Sequence, residues 1–151
     1  MSADAFLRPA RREDLPAVMA MLADDILGRN REGGADAAVA RAFEEIAADP
    51  RSTFWVVERS GSVIGCAQLT VLPGLSRRGM KRGLIESVRI ASGARGRGLG
   101  RWFVGELIAK AREAGCGLVQ LTSDKRREDA HRFYTNLGFA MSHEGFKLML
   151  D

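Results

Sequence analysis

Apolar residues recur along this chain at two periods, one helical and one alternating, and the switches between them lay out the elements. "FLRPA" at 6–10 reads as a short strand closed by Pro9. In "REDLPAVMAMLADDIL" the positions Leu15, Val18, Met19, Leu22 and Ile26 fall on one helical face. A second helix is expected in "DAAVARAFEEIAADP", where Val39, Phe43 and Ile46 share a face and Pro50 ends the run. The intervening "GRNREGGAD" is a loop, read as a plain helix connection with a cover over a substrate as the alternative. "TFWVVERSGSVIGCAQLTVL" is two β-rich runs around Ser60-Gly61, a hairpin signal. After "PGLSRRGMKRG" comes a third run, "LIESVRI" at 84–90, then a glycine loop and a helix from about Leu99 to Ala114. "GLVQLTS" is the next strand, "REDAHRFYTNLG" a helix closed by Gly138, and "FAMSHEGFKLML" a final hairpin turning near His143 to Gly145. The expected order is βααβββαβαββ, an α+β fold whose mixed sheet is mostly antiparallel, with one βαβ crossover and helices on both faces.

A length of 151 residues supports one domain, residues 1–151, with a real core. The 46% hydrophobic and 28% charged content is that of a globular protein in water. No stretch has the roughly 18 consecutive apolar residues of a membrane span, and "MSADAFLRPARRED" lacks the order of a signal peptide, so no membrane partner and a cytoplasmic location are expected. Cys66 and Cys116 lie far apart and outside any CxxC, which suggests neither a disulfide framework nor a metal site. The net charge of +4 suits an anionic ligand or nucleic acid, but 19 acidic residues lie among the 23 basic ones. Charge alone does not choose a partner.

The chemistry concentrates in "ARGRGLG" at 94–100. A strand, a glycine loop and a helix in sequence form an anion site, because the first amides of a helix are unpaired and its N-terminus is partly positive. Glycines admit phosphate oxygens to several amides at once, and Arg95, Arg97 and Arg101 add charge. A pyrophosphate fits this arrangement. A Walker A loop would end in Gly-Lys-Ser/Thr where this chain has Gly100-Arg101-Trp102. A dinucleotide loop would read GxGxxG, whereas Gly96, Gly98 and Gly100 are spaced GxGxG; Asp124 stands near where a ribose-binding acid would fall. A purely structural tight turn would account for one or two of the glycines.

Arg95-Gly96-Arg97-Gly98-Leu99-Gly100 resembles the R/Q-x-x-G-x-G/A acyl-coenzyme A loop of the GCN5-related N-acetyltransferase (GNAT) family, and "DAHRFYTNLGF" at 129–139 resembles that family's A-x-x-F-Y-x-x-x-G-F segment. Order and spacing of both segments match, and the element order is similar over nearly the whole chain. The resemblance implies direct transfer of an acetyl group from acetyl-CoA to an amine. It implies that Arg95, Gly96, Arg97, Gly98, Leu99, Gly100 and Arg101 hold the pyrophosphate. It implies a bulge at which the backbone of Val88, Arg89 and Ile90 bonds the pantetheine arm like an added strand, with a nearby amide polarising the thioester. Glu86, a lone carboxylate inside an apolar strand, is the expected base, and an alkylamine of pKa about 10.4 needs one at neutral pH.

Tyr134, the only tyrosine, is the expected acid for the leaving thiolate; the alternative is a packing role like that of Phe133. Ser123 is the expected contact to the cofactor arm, where many relatives carry an asparagine. His131 and His143 lack ligand spacing with each other or with the cysteines, and no metal is expected. Arg77, Arg78, Lys81 and Arg82 in one loop are candidates to hold an acidic group on the acceptor, with a solvated basic loop as the alternative. The stretch 122–148 and "LIESVRI" are further similar to family members that act on small anionic amines, so a primary amine bearing phosphate or phosphonate is the expected acceptor. Two other classes stay open, a catalytically silent acyl-CoA sensor and a basic nucleic-acid-binding module; acids interrupt the basic runs and no RRM-type signature occurs, so no nucleic acid is expected. A homodimer is a last expectation, because family members pair through their final strands or helices.

Overall fold

The computed structural model describes residues 4–24 and 33–151. Ile26 and most of the loop "GRNREGGAD" lie outside the described residues. The chain divides into two compact units, Met1–Gln120 and Leu121–Asp151.

The first unit is a five-stranded sheet in the order β1-β2-β3-β4-β5. Its strands are β1 (Phe6–Pro9), β2 (Ser52–Arg59), β3 (Ser62–Leu72), β4 (Lys81–Ile90) and β5 (Cys116–Gln120). Neighbours are antiparallel except β4 and β5, which the helix between them makes parallel. The β2–β3 turn holds Ser60 at φ 53° and Gly61 at φ 79°, the left-handed pair that a two-residue hairpin requires.

Among the described residues this unit carries the helices α1 (Leu15–Ala23), α2 (Ala37–Ala48) and α3 (Leu99–Glu113). The Asp36 carboxylate accepts from the Val39 amide and starts α2. Alternation along the strands gives the sheet two apolar faces. On one, Val56 and Cys66 meet Val18 and Met21 of α1. On the other, Gly83 lets α3 approach: a Cβ there would stand 3.1 Å from that of Ala111. Phe103, Val104 and Leu107 of α3 are fully buried, each contributing roughly 1.5–3 kcal/mol. Helices thus cover both faces of an α+β sheet, as the sequence predicts.

A charged cluster ties β1 to the start of α1 and to β2. Arg8 donates to both Asp14 carboxylate oxygens at 2.7 and 2.9 Å and, through Nε, to Glu58 at 2.8 Å, while the Arg11 amide donates to Asp14 at 2.7 Å. Only 9% of the Asp14 side chain is exposed. Hydrogen bonding from Arg8 holds its carboxyl below the usual range, with the Arg11 amide helping against the cost of burial. A depressed folded pKa stabilises above the unfolded value of about 3.9, and the gain disappears as pH falls through the folded pKa. Asp14→Ala should cost about 2–3 kcal/mol in urea unfolding at pH 7, and this difference from the parent should shrink at acid pH.

The second unit contains α4 (Glu128–Asn136), ended by Gly138 at φ 99°. The expected closing hairpin is not formed: residues 139–151 contain no strand, and Phe146, Leu148, Met149 and Leu150 are exposed. Two runs around a turn at His143 to Gly145 suggest a hairpin, but an isolated two-stranded hairpin is marginal in water. The final two strands of the order βααβββαβαββ are corrected accordingly. "PGLSRRGMKRG" also differs from a plain loop: Ser76–Gly79 is one helical turn, with Arg77 and Arg78 at φ 52° and 61°.

Candidate active site

The site grows out of a mismatch in the β3–β4 ladder. Cys66 opposes Arg89 and Gln68 opposes Glu86, so Ser87 and Val88 together face Ala67 alone. This is a β-bulge, and Ser87 takes it up at φ 57°, a conformation that costs an L-residue roughly 1–2 kcal/mol. Beneath it, the Cys66 thiol lies 3.7 Å from the Ser87 carbonyl that accepts from it. Burial pushes that thiol up to about 12, so it stays neutral and is no nucleophile at physiological pH.

The bulge lies a few residues beyond the end of the β4–β5 pairing. Pairing of β4 with β5 ends at Leu84–Gln120, whereas β4 itself runs on to Ile90. From Ile85 onward, the edge of β4 that faces away from β3 has no strand ladder among the described residues. An extended ligand can add there as a further strand. The expected backbone contacts at Val88, Arg89 and Ile90 lie on this stretch, and the bulge implied for them is present.

That edge leads into the glycine loop. Ser92–Ala94 forms one 3-10 turn, and Gly96 and Gly98 follow at φ 92° and 74°. Gly100 differs from both, since it lies inside the first turn of α3 without a positive φ. Gly98 precedes α3, no side chain caps the helix, and no acid occupies its first turn. The amides of Leu99, Gly100 and Arg101 therefore face outward from a 15-residue helix with its dipole uncompensated. This suits a diphosphate, so the residues present fit the donor that the motif implies.

The loop arginines divide their work. Arg95 donates through Nε to the Ile90 carbonyl at 3.0 Å and lies 3.9 Å from Asp24 at the end of α1, tying the loop to strand and helix. Arg97 and Arg101 are exposed beside the helix start. Arg89 donates to the Val88 carbonyl at 2.9 Å.

Glu86 stands one residue before the bulge, exposed, with Gln68 across the ladder and no hydrogen bond or ion pair among the described residues. Its carboxylate is available to an incoming amine. In the second unit, Tyr134 is half-buried and meets Phe133 and Phe139 edge to face, with ring centroids 5.1 and 5.6 Å apart. Ser123, in the same unit, has a hydroxyl oxygen screened from solvent with no hydrogen-bond partner among the described residues. Asp124, weighed as a ribose acid, is instead bound by Arg126 through both carboxylate oxygens, and its carbonyl lies 2.9 Å from Nε2 of His131. The four cations expected in one loop are divided: Arg77 and Arg78 lie in the turn before β4, and Lys81 and Arg82 are the first residues of that strand; Arg77, Arg78 and Lys81 are exposed, while Arg82 is half-buried and donates to Gln120 Oε1 at 3.2 Å. That last pairing is invisible in the sequence, because Gln120 lies 38 residues away.

A mixed sheet, a bulge in β4 beyond the end of β5 and a helix that begins after it without a cap are features of an acetyltransferase-type fold. The family model "Acetyltransferase (GNAT) family" matches residues 19–139, and the chain belongs to that family. It is 31% identical over 98 residues to the aminoalkylphosphonate N-acetyltransferase of Salmonella typhimurium, covering 65% of this chain and 63% of that protein. It is 34% identical over 91 residues to the glucosamine 6-phosphate N-acetyltransferase of Trypanosoma brucei brucei, covering 60% of each. Both alignments span less than two thirds of the relative's length. Among solved structures, a transcriptional regulator from Bacillus halodurans C-125 matches with a TM-score of 0.93 and 43% identity over 97% of this chain and 99% of that one. No described helix is long and apolar enough to cross a membrane.

Proposed function

We propose that the chain moves an acetyl group from acetyl-CoA directly to the primary amine of a small molecule that carries a phosphate or phosphonate. The observation that carries this reading is the stretch of β4 beyond its last pairing with β5, running from the bulge into the uncapped start of α3. In it, the backbone of Val88, Arg89 and Ile90 holds the pantetheine arm, and the amides of Gly96 to Arg101 hold the diphosphate. Glu86 takes the ammonium proton. The amine nitrogen then attacks the thioester carbon; the N–C bond forms, the C–S bond breaks, the thiolate takes its proton from Tyr134, and the second proton shed by the nitrogen as it becomes an amide restores the Tyr134 phenol by way of solvent. A strand amide polarises the carbonyl as its oxygen gains charge. Ser123 contacts the cofactor arm, and Arg77, Arg78, Lys81 and Arg82 attract the acceptor's anion. Both curated relatives have names that specify anionic amines, which supports this choice of acceptor.

The name of the Bacillus halodurans protein favours a second reading, a regulator that binds DNA. One set of measurements separates the two: calorimetry with acetyl-CoA, release of free thiol over a panel of amines, and DNA titration at two salt concentrations. The proposal expects acetyl-CoA binding and thiol release that depends on the amine. Cofactor binding without thiol release for any amine would identify a silent sensor, and steeply salt-dependent DNA binding without cofactor affinity would identify the regulator.

A further inference from the structure

Building on that reading, the geometry points to Arg82, oriented by Gln120, as the group that recognises the acceptor's anion. Gly83 and Ile85 of β4 face α3, with Gly83 against Ala111 and Ile85 only 1% exposed, so alternation puts Arg82, Leu84 and Glu86 together on the opposite face. The ladder is regular across this segment, with Arg82 opposite Leu72, Leu84 opposite Thr70 and Glu86 opposite Gln68. Hydrogen-bonded side chains flank Leu84 on both sides: Ser52 and Thr70, 3.1 Å apart, and Arg82 with Gln120. The proposed base and a guanidinium therefore share a polar strip of one sheet face.

Arg82 differs from the three cations before it in both burial and partner. It is half-buried where they are exposed, so solvent screens its charge less. Its side-chain partner is the neutral oxygen of Gln120, and among the described residues no carboxylate pairs with it. The contact fixes one edge of the guanidinium, leaving further N–H groups for a phosphate or phosphonate, and the Gln120 amide nitrogen can donate beside them.

Spacing restricts the ligand. Four residues of strand separate the Cα atoms of Arg82 and Glu86 by ~13 Å. Side chains that reach toward each other along the strip shorten that span, so an amine at Glu86 and an anion at Arg82 can belong to one small molecule. The acceptor is then a primary amine with its phosphorus group a few bonds away, from a two-carbon aminoalkylphosphonate up to a monosaccharide phosphate. Arg82 supplies the charge and Gln120 is its positioning residue.

The test compares the ratio of kcat/KM for 2-aminoethylphosphonate to that for propylamine in the parent, Arg82→Met, Gln120→Glu and the double variant Arg77→Ala/Arg78→Ala. Losing charged hydrogen bonds should lower the ratio about 10- to 150-fold in Arg82→Met, mostly through KM for the phosphonate. Gln120→Glu should lower it too, by pairing the guanidinium with a carboxylate. An unaltered ratio in Arg82→Met, or a fall confined to the double variant, overturns the assignment. Calorimetry with 2-aminoethylphosphonate reads the same contact without turnover. A parent that acetylates no amine therefore contradicts the proposed reaction, while the anion site stands if Arg82→Met loses the heat of binding and falls if it keeps it.

Discussion

Glu86→Gln is expected to lower kcat by roughly 10²- to 10⁴-fold, the range for loss of a positioned general base, with little change in melting temperature. The separation of activity from stability comes from where the side chain stands. Glu86 is exposed on its strand and makes no hydrogen bond or ion pair among the described residues, so the amide adds no strain and removes no partner. Such surface changes usually stay within about 0.5 kcal/mol. The pH profile gives a second readout. Without a base only the free amine reacts, so the rate of the variant should climb about tenfold per pH unit toward the amine's own pKa of about 10.4. The parent should rise less steeply over the same interval. Full activity in the variant, or a loss matched by unfolding, contradicts the role.

Gly100→Asp should move stability and cofactor affinity in opposite directions. Gly100 lies in the first turn of α3, which contains no acid, and its φ is not in the left-handed region. An aspartate there complements the helix dipole and replaces a residue that disfavours helix, so the fold should hold or gain about 0.5–1 kcal/mol. The same carboxylate confronts the diphosphate. Like charges about 5 Å apart at an effective dielectric near 20 repel by about 3 kcal/mol, enough to weaken acetyl-CoA binding more than a hundredfold. Calorimetry and thermal melts on one preparation check both halves. A stable variant with parental affinity would put the diphosphate elsewhere.

How much of this was legible in the sequence depends on the range of each interaction. The α3 helix, the Ser60-Gly61 hairpin and the end of α4 at Gly138 rest on local periodicity and turn chemistry, and they are found where the sequence predicts them. The turn of the glycine loop into α3 was legible for the same reason, although sequence cannot separate the φ demands of Gly96 and Gly98 from the different position of Gly100. The bulge at Ser87 was not readable from residue types, since it is a difference in count between strands about 20 residues apart; only the family motif implied it. Arg8 with Asp14 and Glu58, and Arg82 with Gln120, are likewise tertiary pairings. The tail shows the converse error. "FAM" and "FKLML" read as two apolar runs around a turn, but local composition is silent on whether a partner strand forms.

Amide hydrogen exchange with and without acetyl-CoA tests the central claim most directly, because it reads the β4 edge and the α3 start in one measurement. Protection should appear in peptides covering residues 87–90 and 96–101 and be weak in β1 and β2. Exchange unchanged in both segments at saturating cofactor, or protection concentrated elsewhere, would contradict it.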